Sequence, residues 1–183
     1  MNTSFRLSAI IILIFLCSTN LFAQHYSLAD FDKVDFIAQR AKPKDALSLI
    51  EKIADQAKQN SDSPLPIKSV IYRMMFQSYL EEDAFDKVLE GLRGDINVAK
   101  QPEKSILQSL LAETYWNYFL QNSWKIRQRT VVSNDTNNDI KTWSTAKLTD
   151  EIIKNYLFSV QDSDLLQKTK VDLLKDVLTG DKQ

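Results

Sequence analysis

The sequence predicts an all-α protein of antiparallel helix pairs, arranged as a tetratricopeptide-like α-solenoid or an irregular helical bundle, behind a cleaved signal peptide. Three observations carry that prediction. Apolar residues recur with a helical period along most of the chain. Only 3 glycines and 4 prolines occur in 183 residues, too few for a many-stranded fold that turns about every 8–12 positions. The chain also overlays itself when slid by 36 residues, which brings Pro66 onto Pro102.

The first 23 residues read as the signal peptide. Arg6 is the one charge ahead of an apolar run from Leu7 to Leu16, broken only by Ser8, and small Ala23 precedes Gln24. A basic start, a short apolar core and a small residue at the cut define a secretory signal. The run falls short of the roughly 20 apolar residues that span a bilayer. Cleavage after Ala23 leaves a mature chain beginning at Gln24 and removes Cys17, the one cysteine. Lipidation of Cys17 is the only route to a membrane, and bulky Leu16 before it is a poor fit to lipoprotein processing. Without cysteine, residues 24–183 form no disulfide, thiolate metal site or cysteine nucleophile. The expected location is the periplasm, the cell envelope or the medium. The formal net charge of -1 gives no basis for binding nucleic acid.

The helices follow in order within one domain over 24–183. Phe31, Val34, Ala38 and Ala41 share one face of the first. Pro43 opens a second, whose inward stripe is Ala46, Ile50, Ile53, Ala54 and Ala57. After a loop at Asn60–Ser63, with Ser63 as cap, a third carries Ile67, Val70, Ile71, Met74, Met75 and Tyr79 at helical spacing. Asp83 caps a fourth with Phe85, Val88, Leu89, Leu92 and Ile96 inward. Pro102 opens a fifth with Ile106, Leu107, Leu110, Leu111 and Tyr115. Periodicity fades from Gln121 to Ser144, around a polar loop near 130–142. It returns with Leu148, Ile152, Ile153, Tyr156, Leu157 and Val160. A last helix holds Leu165, Leu166, Leu173, Leu174, Val177 and Leu178 before Gly180, a natural C-terminal cap.

In the 36-residue overlay, Pro66-Ile67-Lys68-Ser69-Val70-Ile71 lies on Pro102-Glu103-Lys104-Ser105-Ile106-Leu107. Met74-Met75 then falls on Leu110-Leu111 and Tyr79 on Tyr115. A helix pair repeated at this period marks an α-solenoid, although an antiparallel bundle also carries some self-similarity.

No catalytic constellation emerges, and the chain is expected not to be an enzyme. The single histidine, His25, sits at the start of the mature chain. Glu81-Glu82-Asp83 is explained by helix ends and caps. The acidic loop Asp135–Asp139 lacks the central glycine and terminal glutamate of a calcium loop, so no metal or cofactor is expected. Arg93-Gly94-Asp95 spells an adhesion tripeptide, but it lies in a helical stretch whereas such recognition needs an exposed flexible loop, so it is read as a chance match. Asn134-Asp135-Thr136 fits a glycosylation sequon.

The aromatic residues Tyr115, Trp116, Tyr118, Phe119, Trp124 and Trp143 gather around the end of the fifth helix and the loop after it. Two roles are open to them: a partner-binding surface, because Trp and Tyr dominate interface energetics, or a core that pins the loop onto the helix. Arg127 and Arg129 follow Trp124 with the alternation of an extended segment, placed to pair with Asp139, to hold the loop or to face a partner.

Ile71-Tyr72-Arg73-Met74-Met75-Phe76-Gln77, running to Leu80-Glu81-Glu82-Asp83, resembles the N-terminal region of large alpha-2-macroglobulin-like proteins of Bacteroidota. Ser109-Leu110-Leu111-Ala112-Glu113 with Tyr115-Trp116, Trp124-Lys125-Ile126 with Arg129-Thr130, and Asp139-Ile140-Lys141-Thr142-Trp143 extend the likeness over nearly all of the mature chain, up to the helix with Tyr156-Leu157. The resemblance implies an envelope system that traps proteases. The family's bait region, β-domains and Cys-x-Glu-Gln thioester do not occur in this sequence. What it implies here is therefore a non-catalytic helical module for scaffolding or partner binding, whose partner is a protein or the downstream macroglobulin domains. The alternative is a free-standing periplasmic or surface repeat protein that binds peptide or glycan through an aromatic groove.

Overall fold

The computed structural model describes residues 25–58, 64–80, 84–130, 137–175 and 177. The signal peptide with Leu16, Cys17 and Ala23, the Asn60–Ser63 loop, Glu81–Asp83, the sequon, Leu178 and Gly180 lie outside the described residues.

The described chain is all-helical. Helix α1 spans Asp30–Gln39, α2 Pro43–Ala57, α3 Leu65–Leu80, α4 Ala84–Val98, α5 Glu103–Arg127, α6 Thr145–Ser159 and α7 Ser163–Lys168, with short 3-10 turns at Ile140–Thr142 and Val171–Leu174. Each of α1 to α6 packs on the helix before or after it, and α3 also touches α5. Such serial packing of neighbouring helices is compatible with a solenoid and with an antiparallel bundle alike. Two pairs are visibly antiparallel. Gln56 near the end of α2 bonds Tyr26 ahead of α1, and Gln101 ahead of α5 bonds Asp162 beyond α6 at 2.5 Å.

Apolar burial divides into two clusters that share α3. The first gathers Phe31 and Val34 of α1, Ala46, Ile50, Ile53 and Ala57 of α2, and Leu65 and Phe76 of α3. An edge-to-face contact of 4.7 Å between Phe31 and Tyr72 ties α1 across to α3. The second gathers Val70 of α3, Leu89, Leu92 and Ile96 of α4, Leu107, Leu111, Tyr115 and Ile126 of α5, Ile140, Trp143, and Leu148 and Ile152 of α6. Buried apolar area of this kind is the main favourable term holding such a stack together.

The stripe of α2 is buried residue for residue as the periodicity predicts, with Pro43 at its first turn. Helix α1 ends sooner than the sequence pattern implies. Ala41 adopts a left-handed backbone, φ 58°, and is exposed, so it belongs to the turn and not to the Phe31 face. The start of α1 is tied down by Asp30, whose carboxylate accepts from the Ser27 N–H at 2.8 Å and from Lys33 at 2.7 Å. The Lys33 ammonium first, and then the Ser27 amide, hold that carboxyl below the usual carboxylate range.

Helix α3 buries a different arc from the one its spacing suggests. Leu65, Pro66, Ile67, Ser69, Val70 and Phe76 are inside, Met74 is half-buried, and Ile71, Met75 and Tyr79 line the exposed face. The helix is clasped by α2 on one side and α4 on the other. It is apolar nearly all round, so periodicity alone cannot say which third faces water.

Helix α6 departs in the same way. Leu148, Ile152 and Asn155 are buried, whereas Ile153, Tyr156, Leu157 and Val160 are exposed. Helices α2 and α4 are each followed by a helix that covers them, but α6 has only α5 as a major partner among the described residues. The expected last helix is instead two short pieces, α7 and a 3-10 turn, separated at Thr169 and Lys170. No residue of α7 is buried.

Two of the chain's glycines lie inside α4. A Cβ at Gly94 meets nothing within 4 Å, and one at Gly91 makes ordinary contact with the Arg73 guanidinium at 3.6 Å. Both have negative φ. Gly94→Ala is therefore expected to raise the unfolding free energy by about 0.5–1 kcal/mol, read from the urea midpoint at constant m-value.

Candidate functional site

The aromatic residues of the C-terminal half divide into an inner and an outer set. Helix α5 does not stop where periodicity fades. It continues for two further turns through Trp124 to Arg127. Ile126 is its last inward residue and is fully buried.

The inner set is Tyr115 and Trp143. Both are buried, and their rings meet edge to face at 5.5 Å. Arg93 of α4 donates to the Tyr115 hydroxyl from Nε at 3.0 Å and from Nη2 at 2.8 Å. Its guanidinium lies 5.7 Å from the Tyr115 ring centre and 5.8 Å from that of Trp143. Burial pushes the Tyr115 phenol above its ordinary range, and the Arg93 charge opposes that rise. The Trp143 indole N–H donates to the Asn137 carbonyl at 2.7 Å, and the Lys147 ammonium stands 4.9 Å over the indole ring.

Arg129 completes the latch. Its Nη1 donates to the carbonyls of Trp143 at 2.9 Å and Ile140 at 3.2 Å, and its Nη2 to the Tyr118 hydroxyl at 3.4 Å. Asp139, which the sequence places as a partner for Arg127 or Arg129, instead caps the 3-10 turn by accepting from the Lys141 N–H at 2.9 Å. Arg127 is the last residue of α5 and is exposed. The two arginines therefore do not act together on an extended strand: the helix carries Arg127 outward, and the turn after it brings Arg129 back to the loop carbonyls. The tripeptide Arg93-Gly94-Asp95 is internal to α4, with Arg93 on Tyr115 and Asp95 on Arg73.

The outer set is Trp116, Leu120 and Trp124, spaced by four along α5 and therefore on one face. Their exposures are 44%, 54% and 76%. Trp116 leans on Phe119 at 5.7 Å, which in turn packs on the second core cluster. Glu113 and Arg127 are exposed polar residues of the same helix near the two ends of the stripe. Nothing in the periodicity separates the outer from the inner set. Arg93, which sequence reasoning left without a role, has no local signal at all.

Among the described residues no three His, Cys, Asp or Glu side chains converge as a metal site, and no helix is long and apolar enough to cross a membrane. His25 is exposed and bonds Gln56 at 3.2 Å. No family model, curated protein or solved structure matches the chain.

Proposed function

We propose that this chain is an exported, non-catalytic helical module that binds a protein partner through the outer face of α5, within an envelope system of the alpha-2-macroglobulin-like kind. The observation that carries the binding reading is the Trp116–Leu120–Trp124 stripe. Three large apolar side chains in line on one helix face, flanked by polar residues, fit the anatomy of an interface: Trp anchors inside a charged rim. The contacts behind it support the same reading, since Arg129, Tyr115 and Trp143 tie the end of α5 to α4 and to the following loop, an arrangement that lowers the ordering cost of docking. The family setting rests on the sequence resemblance, and the envelope location on the signal-like residues 1–23.

The second reading, a free-standing binder of peptide or glycan, has a different groove at its disposal. An open cleft of about 680 Å³ lies between α1 and α3, lined by Asp35, Ala38, Met75, Phe76 and Tyr79 among others. Of the aromatic residues expected in its groove, Tyr115 and Trp143 are buried, whereas Trp116 and Trp124 are exposed.

A photo-crosslinking residue placed at Leu120 in the native organism tests the proposal. The expected product joins this chain to macroglobulin-type β-domains, on another chain or in continuation of this one, and disappears in the Trp116→Ser/Trp124→Ser variant. That variant should unfold within about 1 kcal/mol of the parent, as surface substitutions do. A crosslink confined to the α1–α3 cleft when the probe is moved to Tyr79, with none from Leu120, would sink the α5 face in favour of the second reading.

A further inference from the structure

A second cavity lies at the seam of the two core clusters, away from the α5 stripe. It encloses about 410 Å³ where the end of α2, the middle of α3, the last turns of α4 and the start of α5 meet. That volume is within the range of small-ligand sites. Its walls hold Arg73, Gly91, Gly94, Asp95, Lys100 and Glu103.

The chemistry of these walls is uneven. Arg73 and Asp95 form an ion pair in which each side chain is 14% exposed. A guanidinium has five N–H donors. Among the described residues only Nη2 meets an acceptor, the Asp95 carboxylate. No Arg73 nitrogen is among the fully buried atoms without a partner, so its remaining donors reach solvent, and an anionic acceptor there would replace water at a charged hydrogen-bond donor. Arg73 is one of the residues that line the cavity. Two glycines line it: a Cβ at Gly91 would make ordinary contact with the Arg73 guanidinium, and one at Gly94 would meet nothing within 4 Å. Lys100 adds a cation at one edge, and the positive end of α5 opens nearby at Glu103. Burial, and then the charge of Asp95, push the Glu103 carboxyl above its ordinary range, which weakens the one acid that faces an incoming anion without a cationic partner of its own.

We propose that this cleft is a binding site for a carboxylate, seated on the free edge of the Arg73 guanidinium beside Lys100, with the Gly91–Gly94 wall of α4 against its aliphatic part. A planar carboxylate matches the guanidinium fork in a way that a point charge does not. The group has two sources, a polypeptide C-terminus or a free small dicarboxylic acid.

Amide NMR titration of the mature chain with three probes tests this: N-acetyl-trialanine as the free acid, the same peptide amidated, and succinate. The free acid or succinate is expected to shift the Gly91, Gly94 and Asp95 amides saturably, with the amidated peptide at least about tenfold weaker. Succinate within about threefold of the acid peptide assigns a free dicarboxylate; succinate at least tenfold weaker assigns a chain terminus. A Cβ at Gly94 meets nothing within 4 Å and Gly94 lines the cleft, so Gly94→Leu should retain the parent spectrum elsewhere while losing at least about tenfold in affinity. Arg73→Lys keeps the charge but not the fork, and should lose affinity as well. Equal binding of acid and amide, shifts that map elsewhere, or no saturable shift with any probe at 10-millimolar order would overturn the site.

Discussion

Trp143→Ala is expected to lower the unfolding free energy by about 3–5 kcal/mol, while Trp124→Ala on the same aromatic cluster changes it by less than about 1 kcal/mol. The contrast follows from where the two indoles stand. Trp143 is buried against Tyr115 and donates its N–H to the Asn137 carbonyl. Removing it opens a cavity in the larger core cluster and leaves the Asn137 carbonyl with Lys147 alone of these two donors. The Arg93 and Lys147 charges lose the ring face beneath them. Trp124 is 76% exposed, so its truncation takes little apolar surface out of the folded state. Urea denaturation of both variants at one protein concentration gives the two values. Equal losses would mean that the outer stripe is itself part of the stabilising core, and the docking face proposed for α5 would go with it.

Leu107→Asp is expected to abolish soluble folding. Leu107 is fully buried in the second cluster, between residues of α4, α5 and α6. An isolated carboxylate there has no cation or donor, and a buried unpaired charge costs several kcal/mol on top of the lost packing. A domain of this size has about 5–15 kcal/mol of stability in all. Leu148→Asp, fully buried on the facing helix, is expected to behave alike. The sequence pattern points to Met74 and Leu110 for the same experiment. Both pack against the cluster but are only partly buried, so an aspartate at either can turn its carboxylate toward water. Their variants are expected to fold with a loss of about 1–3 kcal/mol. Expression level, gel filtration and thermal melting of the four variants check the order.

The helices themselves were legible in the sequence because their signals are local. Pro43 opens α2, and its inward stripe from Ala46 to Ala57 is what a single apolar face at helical spacing requires. The 36-residue overlay likewise identifies α3 and α5 as related positions: Ser69 and Ser105 are both buried, and Pro66 and Pro102 both stand at helix starts. Two local signals misled. The polar residues after Gln121 read as the end of a helix, yet Ile126, four residues past Asn122, still finds the core and carries α5 to Arg127. The alternation of Arg127 and Arg129 read as an extended segment, where a helix end and a turn separate them.

The candidate sites depend on something periodicity does not contain. The sequence by itself determined an all-helical chain, the order of its helices and, for α2 and α4, the face turned inward, because each of those helices has one apolar arc and no choice about burying it. On α3, α5 and α6 the apolar arc is wider than the neighbours can cover. Tertiary structure alone decided that Ile71 and Met75, Trp116 and Trp124, and Ile153 and Leu157 face out while Phe76, Tyr115 and Ile152 face in. It also decided that Arg93 meets Tyr115, and that Arg73 borders a cleft. The physical reason is that burial is settled by where the next helix lies, and helices distant in sequence set that position through packing, which no local spacing records.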